Sequence, residues 1–483
     1  MRNRAAAALA ALLGLSACLD PVGPTFQRPG QPVVPAGYRG APAPADPASL
    51  ADEAWWQVFD DPVLTGLIRE AVANNRDVRI AAARVEQARA QALAVAADTR
   101  PQVGYQAEVS RESQAILGAA VPSPTSRRPS STYLLSLPIS WEIDLWGRLR
   151  RADEAARAEI LVAEAAQAGV MLTLVGNVAG AYYTLLTLDR QRAVVVATAE
   201  AYRRTLELFT VRREGGVGTD IERRSAAAQY DRVRSQIPLF DKRISQTENQ
   251  ISLLAGRPPG AVPRGKPLER QAMPARIPAG LPAQLLERRP DIAQAEARLR
   301  AINARIGIAE ANYYPRLTLT GLFGFVGPDI PSILDGTGNL WSVLGGVAGP
   351  LFTGGRLDAE KARIEAEWDA GRAAYEQAFL VGLREVADAL VERRSVDEAW
   401  ADLASSVANY EAVVELSTDR YVTGLSPYYE ILLWQERLYP AQLELADIAG
   451  QRYLALVRLY LALGGGWNLK PDQWSGLDTV ERR

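Results

Sequence analysis

The chain of 483 residues sets 54 Lys and Arg against 56 Asp and Glu, is 48% hydrophobic and holds no histidine. Its formal charge of −2 leaves no basic excess for phosphates, so nucleic acid is not expected as a partner. Without histidine there is no imidazole base for a nucleophile and no imidazole metal ligand, and the lone Cys18 excludes disulfides and cysteine-rich metal sites. This composition favours transport or structure over catalysis, and no cofactor or metal is expected.

Residues 1–17 read as a signal peptide. Arg2 and Arg4 form a positive start, and Ala5 to Leu13 form an apolar stretch too short to span a bilayer. Leu15-Ser16-Ala17-Cys18 looks like a bacterial lipobox, which makes Cys18 the expected lipidation site. Leu19 rather than Asp follows it, a pattern that in bacterial lipoproteins goes with release to the outer membrane. Residues 18–60 form a lipidated, Pro-rich linker, with Trp55-Trp56 expected to anchor it on the body. No later segment is read as a transmembrane helix, so any spanning part is expected to be β.

From Pro62 to Asp98, Leu64, Leu67, Ile68, Ala71 and Val72 recur at helical spacing, and Pro101 ends the run. Two strands follow, at about 101–113 and 131–145. Residues 133 to 145 put Tyr133, Leu135, Leu137, Ile139, Trp141, Ile143 and Leu145 on one face, against Thr132, Ser136, Ser140, Glu142 and Asp144. The Gly-, Pro- and Ser-rich stretch at 113–131 predicts an exposed hairpin tip. After Gly147-Arg148 a helical pattern of about 65 residues, or about 100 Å, runs to Glu214. Gly216 marks a turn, and a helix near 220–255 returns antiparallel.

Residues 257–281 form a linker, and the pattern then repeats. From Val178 to Gly256 the chain matches itself at a shift of 208: Tyr202 with Tyr410, Arg212 with Arg420, Gly216 with Gly424, Glu222 with Glu430. Upstream the shift is 214: Asp77, Ala81, Arg84, Ala90 and Pro101 match Asp291, Ala295, Arg298, Ala304 and Pro315. The chain therefore holds two copies of one unit, at 61–256 and 282–464, before a tail at 465–483. The second copy starts with Arg288-Arg289-Pro290-Asp291, places strands at about 315–326 and 338–352 with a tip at 326–338, and runs a long helix to Tyr421. A last helix spans about 428–463.

Strands of about ten residues with one apolar and one polar face fit a transmembrane barrel, although a soluble sandwich shows the same alternation. Pro138 and Pro350 depart from it, since proline donates no ladder hydrogen bond. Four strands do not close a barrel, because known single-chain barrels need at least eight. If these strands span a membrane, several chains share one barrel.

The lipobox, the four amphipathic strands, the duplicated long helices and the turns Arg420-Tyr421-Val422-Thr423-Gly424 and Arg212-Arg213-Glu214-Gly215-Gly216 resemble the TolC-like outer-membrane factors. The lipidated start is most similar to the NodT-type branch. The resemblance implies a mainly α fold with a membrane β part: a homotrimer with a 12-stranded β-barrel continued by an α-helical tunnel. It implies a lipid-anchored protein of the bacterial outer membrane that passively conducts drugs and other small molecules. Its partners would be a periplasmic adaptor and an inner-membrane pump, proton-driven in many such systems, with outer-membrane lipid around the barrel. By the same resemblance Glu430, its repeat mate Glu222 and Tyr421 line a periplasmic aperture, with the Tyr421 hydroxyl within reach of Glu222. Three Glu430 carboxylates brought together would repel one another and attract cations. The turns carrying Arg212, Gly216, Arg420 and Gly424 are the implied adaptor-docking sites, and both glycines also suit helix termination. Leu433 stands where some relatives carry a second acidic ring. Alternatives are a channel for type I protein secretion, a periplasmic coiled-coil adaptor lipoprotein, and a lipid-anchored enzyme using paired carboxylates, for which no cleft-forming pair is found.

Overall fold

The computed structural model describes residues 20–30, 37–39, 56, 59–112, 130–273 and 289–465. Cys18, the signal peptide, Trp55, most of the first hairpin tip and the tail lie outside them. In chain order the elements are α1 (Pro62–Asn74), α2 (Arg76–Ala97), β1 (Gln102–Val103), β2 (Gln106–Glu112), β3 (Ser130–Ile143), α3 (Arg148–Glu214), α4 (Asp220–Arg234) and α5 (Ile237–Leu254). Then follow α6 (Pro290–Ala311), β4 (Arg316–Gly327), α7 (Ile330–Leu334), β5 (Asn339–Ala348), α8 (Arg356–Val422) and α9 (Tyr428–Ala462). Both long helices run unbroken for 67 residues.

Three predicted elements are divided, each for a local chemical reason. The helix expected over 62–98 breaks at Asn75, whose Oδ1 accepts from the Asp77 and Val78 amides at 2.8 and 3.2 Å. That side chain caps a new helix instead of continuing the old one. The return helix at 220–255 is two helices, because Pro238 at the start of α5 collides with the carbonyl one turn earlier. The strand over 102–112 is interrupted at Gly104-Tyr105. Gly104 donates to the Pro138 carbonyl at 2.9 Å, but Pro138 has no N–H to return.

The chain forms two compact units. One comprises Met1–Gly30, Arg84–Ala163 and Ala295–Ala374 and holds the sheet. Its order is β1-β3-β4-β5, with β2 also pairing β3, all antiparallel. In the same unit, Ile302, Ile306, Ala309 and Ile364 form a small core on which Trp368 packs. Residues 20–30 are tied to this unit by polar contacts. Arg151 donates to the carbonyls of Val22 and Gly23 at 3.1 and 2.9 Å, and Asn303 donates to that of Pro24 at 2.8 Å. Arg28 pairs with the buried Glu296 at 2.7 Å, and Arg300 pairs with the same carboxylate at 2.6 Å. Burial alone would raise the Glu296 pKa, but these two guanidiniums outweigh it and hold the carboxyl below its ordinary range.

The second unit comprises Gln31–Ala83, Glu164–Gln294 and Tyr375–Arg483. Its core gathers Trp56, Phe59, Leu64, Ile68, Val175, Val178, Tyr182, Tyr183, Ile251, Leu456 and Tyr460. Tyr183 stacks on Tyr453 with centroids 4.8 Å apart and planes 8° apart, and Phe59 tilts against Tyr183 at 5.0 Å. The run 165–188 carries no charged residue, and α3 contains an 18-residue window of mean hydropathy 1.5. By length and composition this helix is therefore apolar enough to cross a membrane, contrary to the expectation that no such run exists. Its apolar side chains instead supply much of this unit's core.

A buried carboxylate fixes the chain around this core. Asp61 caps α1 through the Val63 amide at 2.9 Å, while its other oxygen accepts from Tyr182 Oη at 2.8 Å and Gln271 Nε2 at 2.7 Å. Gly265 donates its amide to the Tyr182 hydroxyl at 2.9 Å. Only glycine fits there, since a Cβ would lie 2.3 Å from Asp61 Oδ1. At the start of α6, Arg289 is buried and holds Asp291 at 2.7 Å, Glu385 at 2.8 Å and the Ala462 carbonyl at 2.8 Å.

Candidate functional site: an exposed apolar sheet face and two helical turns

Cross-strand register decides whether separate apolar alternations form one surface, because a one-residue slip sends a strand's side chains to the other face. Here every set falls in step. Ala107 lies opposite Leu135, and Val109 opposite Tyr133. Leu135 faces Phe325, Leu137 faces Phe323, Trp141 faces Leu319 and Ile143 faces Leu317. Phe323 in turn faces Trp341, Gly321 faces Val343 and Leu317 faces Val347. With Val103 of β1 opposite Ile139, the result is a continuous apolar face across all five strands. Its side chains are not covered: Val103, Val109, Leu137, Phe323, Val343 and Val347 are all exposed, and Trp341 is 72% exposed. The opposite face carries Gln106, Glu108, Ser110, Thr132, Ser140, Glu142, Thr318 and Thr320, interspersed with Leu134, Leu322, Val326, Leu340 and Leu344.

Strands β3, β4 and β5, of 14, 12 and 10 residues, are long enough to cross a hydrocarbon layer when tilted. The outer edges of β1, β2 and β5 have no strand partner among the described residues. A soluble sheet with an apolar face this large would invite aggregation, whereas lipid makes the same face favourable.

At the far ends of α3 and α8 the two turns share one geometry. Gly216 and Gly424 both adopt φ of 77°, in the left-handed region that glycine occupies without strain. The Val217 amide reaches back to the Arg212 carbonyl at 3.0 Å, and the Leu425 amide to the Arg420 carbonyl at 2.8 Å. Each is the six-residue closure of a Schellman turn, so Arg212 and Arg420 occupy equivalent last-turn positions. Val217, Ile221, Leu425 and Tyr429, repeat mates in pairs, stand exposed on these turns.

The two glutamates part company here. Glu222 closes a capping box: its Oε2 accepts from the Thr219 amide at 2.8 Å, and the Thr219 hydroxyl caps the Glu222 amide at 3.2 Å. These bonds, the Thr219 amide first, hold the Glu222 carboxyl below its ordinary range. The repeat mate of Thr219 is Pro427, which has no side-chain cap to offer. Glu430 is therefore outside any capping box and lies 3.8 Å from the Arg420 guanidinium. The Tyr421 hydroxyl does not reach Glu222 as anticipated. Arg212 Nη1 donates to it at 2.5 Å, with the guanidinium 5.8 Å from the ring centroid. Tyr421 also packs edge-on against Tyr428, which meets Phe209 of α3 at 4.4 Å. The structure thus brings Arg212 and Tyr421 together, and Arg420 near Glu430, while Glu222 serves its own helix. The Thr219-x-x-Glu222 spacing was the available signal for that local role.

An exposed apolar sheet face, with open edges among the described residues, in a chain that also holds two 67-residue helices, defines a membrane protein of the β type. The chain belongs to the outer membrane efflux protein family, whose pattern matches residues 67–257 and 281–465. It is 33% identical over 472 residues to the solvent efflux pump outer membrane protein SrpC of Pseudomonas putida, covering 96% of this chain and 98% of the relative. It is 32% identical over 471 residues to the outer membrane protein OprJ of Pseudomonas aeruginosa, covering 97% of each. Its fold is similar to the open state of the MtrE outer membrane channel of Neisseria gonorrhoeae, with a TM-score of 0.84 at 27% identity, over 93% of this chain and 99% of that one.

Proposed function

We propose that this chain is the outer-membrane channel of a tripartite efflux system, through which small molecules leave passively. Three copies share a 12-stranded barrel, and Cys18 carries the lipid that anchors each copy to the outer membrane. The observation that carries this reading is the register-aligned apolar face with unpaired edges. Lipid solvates that face, and a neighbouring copy satisfies each open edge. The opposite face, with its Gln, Glu, Ser and Thr side chains, suits a water-filled lumen in which solutes bind too weakly to stay.

The helical turns are the proposed periplasmic end. Their exposed apolar pairs, Val217 with Leu425 and Ile221 with Tyr429, offer a docking surface to a periplasmic adaptor, which connects the channel to an inner-membrane pump. The Arg212–Tyr421 bond ties the first helix pair to the second and restrains the aperture. Glu430, with no capping partner, is the carboxylate we assign to the constriction, where three copies would attract cations. The test is the native mass of the detergent-extracted protein, followed by conductance in planar bilayers. Three chains per particle and a cation-preferring conductance are expected. A monomer that stays soluble without detergent refutes the channel.

A further inference from the structure

The duplication inside the chain provides a template for a contact that a single copy does not make. Where β3 passes into α3, Trp146 Nε1 donates to the Pro315 carbonyl at 2.8 Å. The indole stacks on Tyr314 with centroids 4.7 Å apart and planes 26° apart. Tyr314-Pro315 is the junction between α6 and β4, so this contact joins the first hairpin to the second. Under the repeat shifts of 214 and 208, Tyr314-Pro315 corresponds to Arg100-Pro101, and the Trp146 junction corresponds to residues 350–355. The related contact would therefore join the end of β5 to the start of β1. Within one copy those two strands are opposite edges of the sheet.

The junction after β5 bears the marks of an unfilled contact. Leu351 is fully exposed and Phe352 is 91% exposed. Nothing lies within 4 Å of the Cβ positions of Gly354 and Gly355. The first junction is also tied internally by the two-pronged Glu142–Arg148 ion pair, at 2.9 and 2.8 Å. Its counterpart lacks that tie, because Pro350 stands at the mate position of Glu142. On the receiving side, Arg100 and Pro101 are exposed.

We infer that Leu351 and Phe352 of one copy seat on Thr99–Gln102 of a second copy, repeating across copies what Trp146 does on Tyr314-Pro315 within one. The aromatic moves from position 354 to 352, and its flat partner changes from a tyrosine ring to the Arg100 guanidinium, which stacks on aromatic faces equally well. The contact is head-to-tail, so it closes only as a ring of copies. This rests on the shared-barrel reading and adds the residues that lock the ring at the base of the barrel.

The test uses the full chain, extracted in detergent. A Pro101→Cys, Phe352→Cys double variant is oxidised and run on a denaturing, non-reducing gel, with each single variant as control. Covalently joined copies up to a trimer are expected from the double variant alone. In a second probe, a benzophenone phenylalanine at position 352 of the otherwise native chain is irradiated and its adduct mapped, with attachment to residues 99–102 of another copy expected. A multi-copy particle in which neither probe joins these segments overturns the inference and leaves the shared barrel standing. A native chain that purifies as a monomer overturns the shared barrel itself.

Discussion

Removing one oxygen from Tyr421 isolates the tie between the two helical turns. In Tyr421→Phe the ring keeps its edge contact with Tyr428, at 5.6 Å, while the hydrogen bond from Arg212 disappears. Both partners are only half-buried, so the bond contributes about 1 kcal/mol per copy rather than the larger figure for a buried charged pair. If three copies open together, the loss sums to about 3 kcal/mol and shifts the open-to-closed ratio by about a hundredfold. The assay is single-channel recording in planar bilayers, where Tyr421→Phe raises open probability or conductance. Arg212→Ala produces a similar rise, and the double variant adds little because both changes delete the same bond. Native-like recordings from both single variants refute the tie as a restraint on the aperture.

Glu430→Gln lowers cation preference in the same recordings, and unchanged ion selectivity removes Glu430 from the constriction. Thr219→Ala destabilises the start of α4 by about 1 kcal/mol, read by local hydrogen exchange. Because the Glu222 pKa is lowered in the fold, its stabilising share is present above the ordinary carboxylate range and is lost as pH falls toward the depressed value. Thr219→Ala should therefore also weaken the acid dependence of that exchange. Gly265→Ala places a Cβ 2.3 Å from Asp61 Oδ1 and costs on the order of 2 kcal/mol or more, whereas Gly66→Ala, with nothing within 4 Å, is neutral or mildly stabilising. Comparison of the two melting temperatures decides this. Glu296→Gln frees residues 20–30 to faster proteolysis, since Arg28 and Arg300 lose their shared carboxylate.

Much of the fold was legible in the one-dimensional pattern. Period-2 alternation named the strands, and the self-match related Gly216 to Gly424 and Glu222 to Glu430. Where local chemistry intervened, that pattern was too coarse. Asn75 caps a helix that periodicity runs straight through, and Pro238 divides another. The candidate site was legible as residues and less so as contacts. Arg212 and Tyr421 lie 209 positions apart, and no local spacing announces that they meet. The difference between Glu222 and Glu430 was present in the letters, as Thr219 against Pro427, but its meaning depends on a threonine hydroxyl reaching a backbone amide three residues on.

The sequence by itself determined which stretches run as helix or as strand and that the pattern comes twice, because side-chain alternation, glycine turns and proline stops act over a few residues. Only the tertiary structure decided that the apolar sides of β1 to β5 align into one exposed face and that Asp61 lies among Tyr182, Gln271 and Gly265. Register and long-range hydrogen bonds depend on where distant segments come to rest. That is settled by packing the whole chain and not by any stretch of it.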